Sequence, residues 1–130
     1  MVTLDTNIAV YAFSRGEKAE AAREILASAN FVSVQLLNEY VNVAWRKRRL
    51  AWPEIQADLA VIRGAVAAVR AIDQNAHHEG IRIAERYQLS FYDSLMLAVA
   101  LAGGARTIYS EDMQDGLVID GKLRVVDPFR

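Results

Sequence analysis

The sequence predicts an α/β fold with a mainly parallel central sheet, and three observations predict it. Short β-prone runs (Val2-Thr3-Leu4, Phe31-Val32-Ser33-Val34, Val69-Arg70-Ala71-Ile72 and Thr107-Ile108-Tyr109) alternate with longer stretches of helical periodicity. A run as short as the first makes sense only as a central strand, covered on both faces. The chain has 130 residues, 53% hydrophobic and 24% charged, which suits one globular domain over residues 1–130 with a single sizeable core.

Taken in order, Val2–Leu4 leads into Asp5-Thr6-Asn7, three polar residues that can each cap a helix, and Ile8, Tyr11 and Ala12 carry helical spacing to about Phe13. Glu17 to Ala29 reads as an amphipathic helix with Ala22, Ile25 and Leu26 inward, ended by Asn30. After the second strand, Gln35 to Arg49 reads as a helix whose Leu36, Leu37, Tyr40, Val43, Ala44 and Lys47 share a face. Pro53 suits the first position of a helix running from Glu54 to about Val66, with Ile55, Leu59 and Ile62 inward. Gln74 to Tyr87 follows as a helix with Ala76, His77, Ile81 and Ala84 inward. Ser90 then caps a helix whose apolar run, Leu95 to Ala102, is stopped by Gly103-Gly104. Leu117-Val118-Ile119 and Leu123 to Val126 flank Asp120-Gly121 as in a hairpin, and Pro128 ends the ordered chain.

Composition narrows the function. The absence of cysteine excludes a disulfide scaffold and thiolate metal sites and fits a reducing compartment. MVTLDTN lacks the basic and apolar stretches of a signal peptide, and the longest apolar run is too short to span a bilayer, so no membrane association and a cytoplasmic location are expected. A net charge of −1 argues against a protein that coats RNA by phosphate neutralisation; any contact with nucleic acid is local or bridged by cations. The basic run Trp45-Arg46-Lys47-Arg48-Arg49 reads first as favourable charge at a helix C-terminus, and second as a phosphate-contacting patch with Trp45 or Trp52 nearby. His77-His78-Glu79 is not a zinc motif, because adjacent histidines on a helix point to different faces.

Four acids stand out. Asp5 and Asp112 each follow a strand, on the edge where ligands gather in parallel sheets, and Asp93 sits in the first turn of the apolar helix. Each has a structural reading as a cap, Asp93 through the box-like Ser90-x-x-Asp93. Glu39 is the most informative, because capping does not explain a glutamate in mid-helix on a mostly apolar arc; its structural reading is a side chain reaching solvent or pairing with a base. Carboxylates without cysteine, a spaced histidine pair or a glycine-rich phosphate loop suit a hard cation, Mg²⁺ or Mn²⁺. The matching chemistry is attack of water on a phosphodiester.

These residues resemble a known family. Val2-Thr3-Leu4-Asp5-Thr6-Asn7, Leu37-Asn38-Glu39-Tyr40, Phe91-Tyr92-Asp93-Ser94-Leu95 and Tyr109-Ser110-Glu111-Asp112-Met113 resemble, in order, the four acidic motifs of PIN-domain ribonucleases of the VapC toxin type. The resemblance covers nearly the whole chain. It implies a three-layer α/β/α fold and a Mg²⁺- or Mn²⁺-dependent endoribonuclease, the toxin of a toxin–antitoxin pair. Asp5, Glu39, Asp93 and Asp112 are implied as metal-binding catalytic acids, with Thr6, Asn7, Ser110 and Asp115 as accessories and Glu111 as an alternative to Asp112. The implied partners are an RNA substrate, a cognate VapB-like antitoxin and a second copy in a homodimer. A non-catalytic metal- or protein-binding module and a housekeeping RNA-processing nuclease are the competing readings.

Overall fold

The computed structural model describes residues 1–130. Its elements are β1 (Val2–Leu4), α1 (Thr6–Ala12), α2 (Ala19–Ser28), β2 (Phe31–Ser33), α3 (Val34–Arg46), α4 (Trp52–Ala65), β3 (Ala68–Arg70), α5 (Gln74–Tyr87), α6 (Phe91–Ala102), β4 (Thr107–Tyr109), β5 (Val118–Ile119) and β6 (Leu123–Val126). The fold is the expected three-layer α/β/α arrangement around a mainly parallel sheet.

One sheet has the order β1-β4-β6-β5, with β4 parallel to both β1 and β6, and β5 antiparallel to β6. A second pairs β2 with β3 in parallel. The two are stitched together beside β1: the Asn30 backbone N–H donates to Val2 O at 2.9 Å, and the Thr3 hydroxyl donates to Phe31 O at 2.6 Å. Thr3 is buried there, its hydroxyl taking the place of a missing backbone bond. Leu4, Ile108 and Val125 are buried at the centre of the main sheet, inside a core cluster of 25 residues.

The helices follow local chemistry. Asp5, Ser33, Asp73 and Ser90 cap α1, α3, α5 and α6, each side chain accepting from a backbone N–H in the first turn. α6 is apolar nearly all round and buried along Ser94–Ala100, as a helix without a polar stripe must be. Its stop uses both glycines: a β-carbon on Gly103 would lie 2.4 Å from the Phe31 ring, and Gly104 has φ +82°. At the hairpin, Asp120 and Gly121 both have positive φ, 53° and 67°, the geometry an Asp-Gly turn favours. No helix is long and apolar enough to cross a membrane.

Three sequence expectations shift. Ile81 is 49% exposed and His77 is exposed too, because α5 buries the stripe Ala76, Gly80 and Ile83 and turns both outward. β3 lies over Ala68–Arg70 rather than 69–72, at a partly exposed edge where apolar alternation constrains register weakly. α3 ends at Arg46, and Arg49 has φ 54°, so Lys47, Arg48 and Arg49 belong to a turn rather than the last helical turn.

Candidate functional site

The carboxyl ends of β1 and β4 meet through Asp5. Its backbone N–H donates to Tyr109 O at 2.8 Å, extending the parallel ladder by one bond. The side chain then turns under the sheet edge, only 5% exposed. Its Oδ1 accepts the Thr6 N–H at 2.7 Å, and its Oδ2 accepts the Ser110 hydroxyl at 2.8 Å and the Asn7 amide at 3.3 Å. Asp5 is therefore the cap of α1, and it is also a buried carboxylate between two strand ends. Burial pushes its pKa up to about 6; the hydrogen bonds from Ser110 and Thr6 pull it down, and the charges of Asp93 and Glu39 push it up.

Glu39 reaches this edge from the middle of α3. Its Oε1 accepts the Thr6 hydroxyl at 2.8 Å and its Oε2 accepts the Gln35 amide at 2.7 Å. Of the two structural readings of Glu39, pairing fails, since no lysine or arginine pairs with it; the side chain is half-buried. Asp93, half-buried in the first turn of α6, receives its cap from Ser90, whose hydroxyl accepts the Asp93 N–H at 3.3 Å. The reciprocal bond of a capping box, from the Ser90 N–H to the Asp93 carboxylate, is not made; the Ser90 hydroxyl is the one group beside that carboxylate that favours its charged form. Burial raises the Asp93 pKa, Ser90 opposes this, and the charges of Glu39 and Asp112 add to it.

Asp112 is exposed in the loop after β4 and lines, with Thr6, Asn7, Glu39, Tyr11 and Lys47, a cleft of about 430 Å³. Asp5 lies just outside that lining, bonded to Thr6 and Asn7. The structure thus brings Asp5, Glu39, Asp93 and Asp112 into one electrostatic neighbourhood, and Thr6, Asn7 and Ser110 hold it together. Ser110 is fully buried; it donates to Asp5, and its hydroxyl oxygen accepts the Met113 N–H at 3.2 Å. The other two sequence candidates point elsewhere. Glu111 pairs with Lys18 and accepts the Tyr11 hydroxyl at 2.5 Å. Asp115 accepts the Asp127 N–H at 2.8 Å, bracing the C-terminal segment.

Gln35 was not anticipated from the sequence. The signal was its position four residues before Glu39 on one helix face, where an amide can orient a carboxylate. Tyr11, read only as part of a helix face, lines the cleft, as does Lys47 of the basic run.

The donor set suits a hard divalent cation. The polar side chains around the four acids, Thr6, Asn7, Gln35 and Ser110, offer oxygen, two of the carboxylates are held above their ordinary pKa, and no ion pair of the chain involves any of the four acids. No three His, Cys, Asp or Glu side chains converge as a ready-made cage. Mg²⁺ is the kind of ion that keeps several waters and binds through one or two carboxylates.

Comparison with known proteins follows this geometry. The family model of the PIN domain matches residues 2–114. No curated protein matches the sequence. Among solved structures, the chain is similar to a toxin–antitoxin complex from Klebsiella pneumoniae, with TM-score 0.74 at 23% identity over 98% of each chain. It is similar to VapC20 of Mycobacterium tuberculosis, a sarcin–ricin-loop-cleaving toxin, with TM-score 0.69 at 18% identity over 86% of this chain and 92% of that one. It is also similar to DNA-bound VapBC2 of Rickettsia felis, with TM-score 0.67 at 20% identity over 96% and 97% of the two chains. At these identities the structural likeness speaks for the fold, and the family model speaks for the family.

Proposed function

This chain belongs to the PIN domain family, and we propose that it is a Mg²⁺- or Mn²⁺-dependent endoribonuclease, the VapC-like toxin of a type II toxin–antitoxin pair acting in the cytoplasm. The observation that carries the proposal is the gathering of four unpaired acids from four separate parts of the chain at one sheet edge. Burial raises the pKa of Asp5 and Asp93 beside the other acids, a cost that a bound cation removes. The solved structures it resembles are of toxins and toxin–antitoxin complexes, which supports an antitoxin partner. A homodimer is part of the same proposal.

In this reading Asp5, Glu39, Asp93 and Asp112 hold the cation, which when bound supplies an activated water and neutralises charge at a phosphodiester. The remaining work belongs to the chain. Ser110 and Asn7 fix Asp5 from one side and the Thr6 N–H from the other. Thr6 and Gln35 clamp both oxygens of Glu39, so neither carboxylate spends rotamer freedom when substrate arrives. Asp93, in no ion pair and set on the positive end of α6, stays available to a water or a ligand. Hydrolysis adds the elements of water across one P–O bond of the RNA.

The test is cleavage of a total small-RNA pool with Mg²⁺ or Mn²⁺, with Asp93→Asn in parallel. Discrete fragments from the wild type alone support the nuclease. Full activity in both Asp5→Asn and Asp93→Asn overturns the site, and no cleavage by antitoxin-free, metal-loaded protein favours a non-catalytic binding module. Growth arrest on overexpression separates a toxin from a housekeeping nuclease.

A further inference from the structure

The two tryptophans of the chain are not in the core. Trp45, near the end of α3, and Trp52, at the start of α4, stack on each other with ring centroids 4.7 Å apart and planes 20° from parallel. They are 49% and 47% exposed. A stacked indole pair facing water is a large apolar surface already fixed in one orientation.

Cations surround it. Trp45, Arg46, Arg49 and Leu50 line one groove. Arg46 also lines a second groove with Asn42, Val43 and Lys47. Those last three line the acidic cleft as well. The surface is therefore one track, running down α3 from Glu39 to the tryptophans, a span of about 10 Å along the helix. No ion pair of the chain involves Arg46, Lys47 or Arg49. Their neighbour Arg48 is committed otherwise, donating to Phe13 O at 2.9 Å and to the Tyr40 hydroxyl at 3.4 Å. The end of α3 and the turn after it thus divide their basic residues between one that holds the fold and three that face a groove.

We propose that this track binds the single-stranded RNA flanking the scissile bond, with Arg46, Lys47 and Arg49 contacting phosphates and a base stacking on the Trp45–Trp52 pair. The proposal rests on the nuclease reading for its occupant, and charge chooses that occupant. A polyanion with unstacked bases matches cations interleaved with an aromatic platform. A second copy docked by this patch on a two-fold axis would set the same cations against themselves. The arrangement also answers how a chain of net charge −1 grips RNA: the grip is local.

Because the chain has two tryptophans and both are in the platform, intrinsic fluorescence reports on it directly. Titrating the full chain in EDTA with an unstructured single-stranded RNA oligonucleotide is expected to quench that emission, with a salt slope of about −2 for three phosphate contacts. Arg46→Ala with Arg49→Ala lowers the slope by about 1.4. Trp45→Ala weakens binding about 10-fold, and Trp45→Phe restores most of it because stacking, not shape, is at stake. In Mg²⁺, the Trp45→Ala loss falls on KM more than on kcat. Cleavage by the wild type with no quenching, and KM unchanged in these variants, overturns the track and leaves the nuclease standing. Quenching without cleavage keeps the track and removes the nuclease. Emission that changes only with protein concentration, together with monomerisation of Trp45→Ala in sedimentation, overturns the track in favour of a self-association face.

Discussion

Two groups of acids in this protein meet opposite fates. On the outer side of α5, Arg82 pairs with Asp120 at 2.6 Å and with Glu79 at 3.1 Å, and the Tyr87 hydroxyl donates to Asp120 at 3.2 Å. Arg82 holds the Asp120 carboxyl below its usual range. At the edge of β1 and β4, Asp5, Glu39, Asp93 and Asp112 gather with no cation among their ion pairs, and burial drives Asp5 and Asp93 the other way. The first group ties a helix to a hairpin. The second keeps two carboxylates above their ordinary pKa without an ion pair, the kind of perturbed cluster that marks a candidate functional site.

The sharpest way to break this contrast is chemical. Asp5→Asn or Asp93→Asn is expected to reduce metal-dependent RNA cleavage by about a thousandfold or more, measured as initial rate on a fixed RNA. Arg82→Ala leaves that rate within about twofold, since a distant surface pair does not touch the site.

The next effect is on stability. Asp5 has its pKa raised from 3.8 to about 6 in the fold. Between those values the folded chain keeps a proton that the unfolded chain releases, so this contribution favours the fold at low pH and is lost as pH rises through about 6, for a total of about 3 kcal/mol. Metal-free Asp5→Asn is therefore expected to melt about 5 °C or more above the wild type near neutral pH, and the gap closes toward about pH 4. Saturating Mg²⁺ raises the wild-type Tm and leaves the variant nearly unmoved. Calorimetry with and without EDTA reads all of these.

The opposite sign is expected at the paired group. Asp120 has a lowered pKa, so its stabilisation is present above the ordinary carboxylate range and is lost as pH falls through its folded value. Arg82→Ala costs about 0.5–1 kcal/mol near neutral pH, because both partners are partly solvated, and the cost vanishes in acid. Urea denaturation across pH measures it. The smallest effect sharpens the contrast: Ser110→Ala removes a bond to the charged form of Asp5, so the pH at which metal-free protein loses stability moves upward by less than about one unit.

Much of this was legible in the chain. Helix α5 over Gln74–Tyr87, the Ser90 cap and the Asp-Gly hairpin rest on local rules that act within a few residues. Of the four acids only Glu39, in mid-helix, stood out by position; Asp5, Asp93 and Asp112 each had a reading as a cap, and the resemblance of their flanking motifs is what joined them.

What the sequence alone determined is the set of elements, their order and the identity of the acids, because periodicity, caps and turn residues are local properties of the chain. The tertiary structure decided which acids meet. Glu111 and Asp112 are adjacent, yet one goes to Lys18 and Tyr11 and the other to the cleft. Tertiary structure also decided that Gln35 clamps Glu39, that Ser110 reaches Asp5 across 105 residues, and that Trp45 stacks on Trp52 at the surface. Those outcomes depend on how strands register and helices cross, and no single segment carries that information by itself.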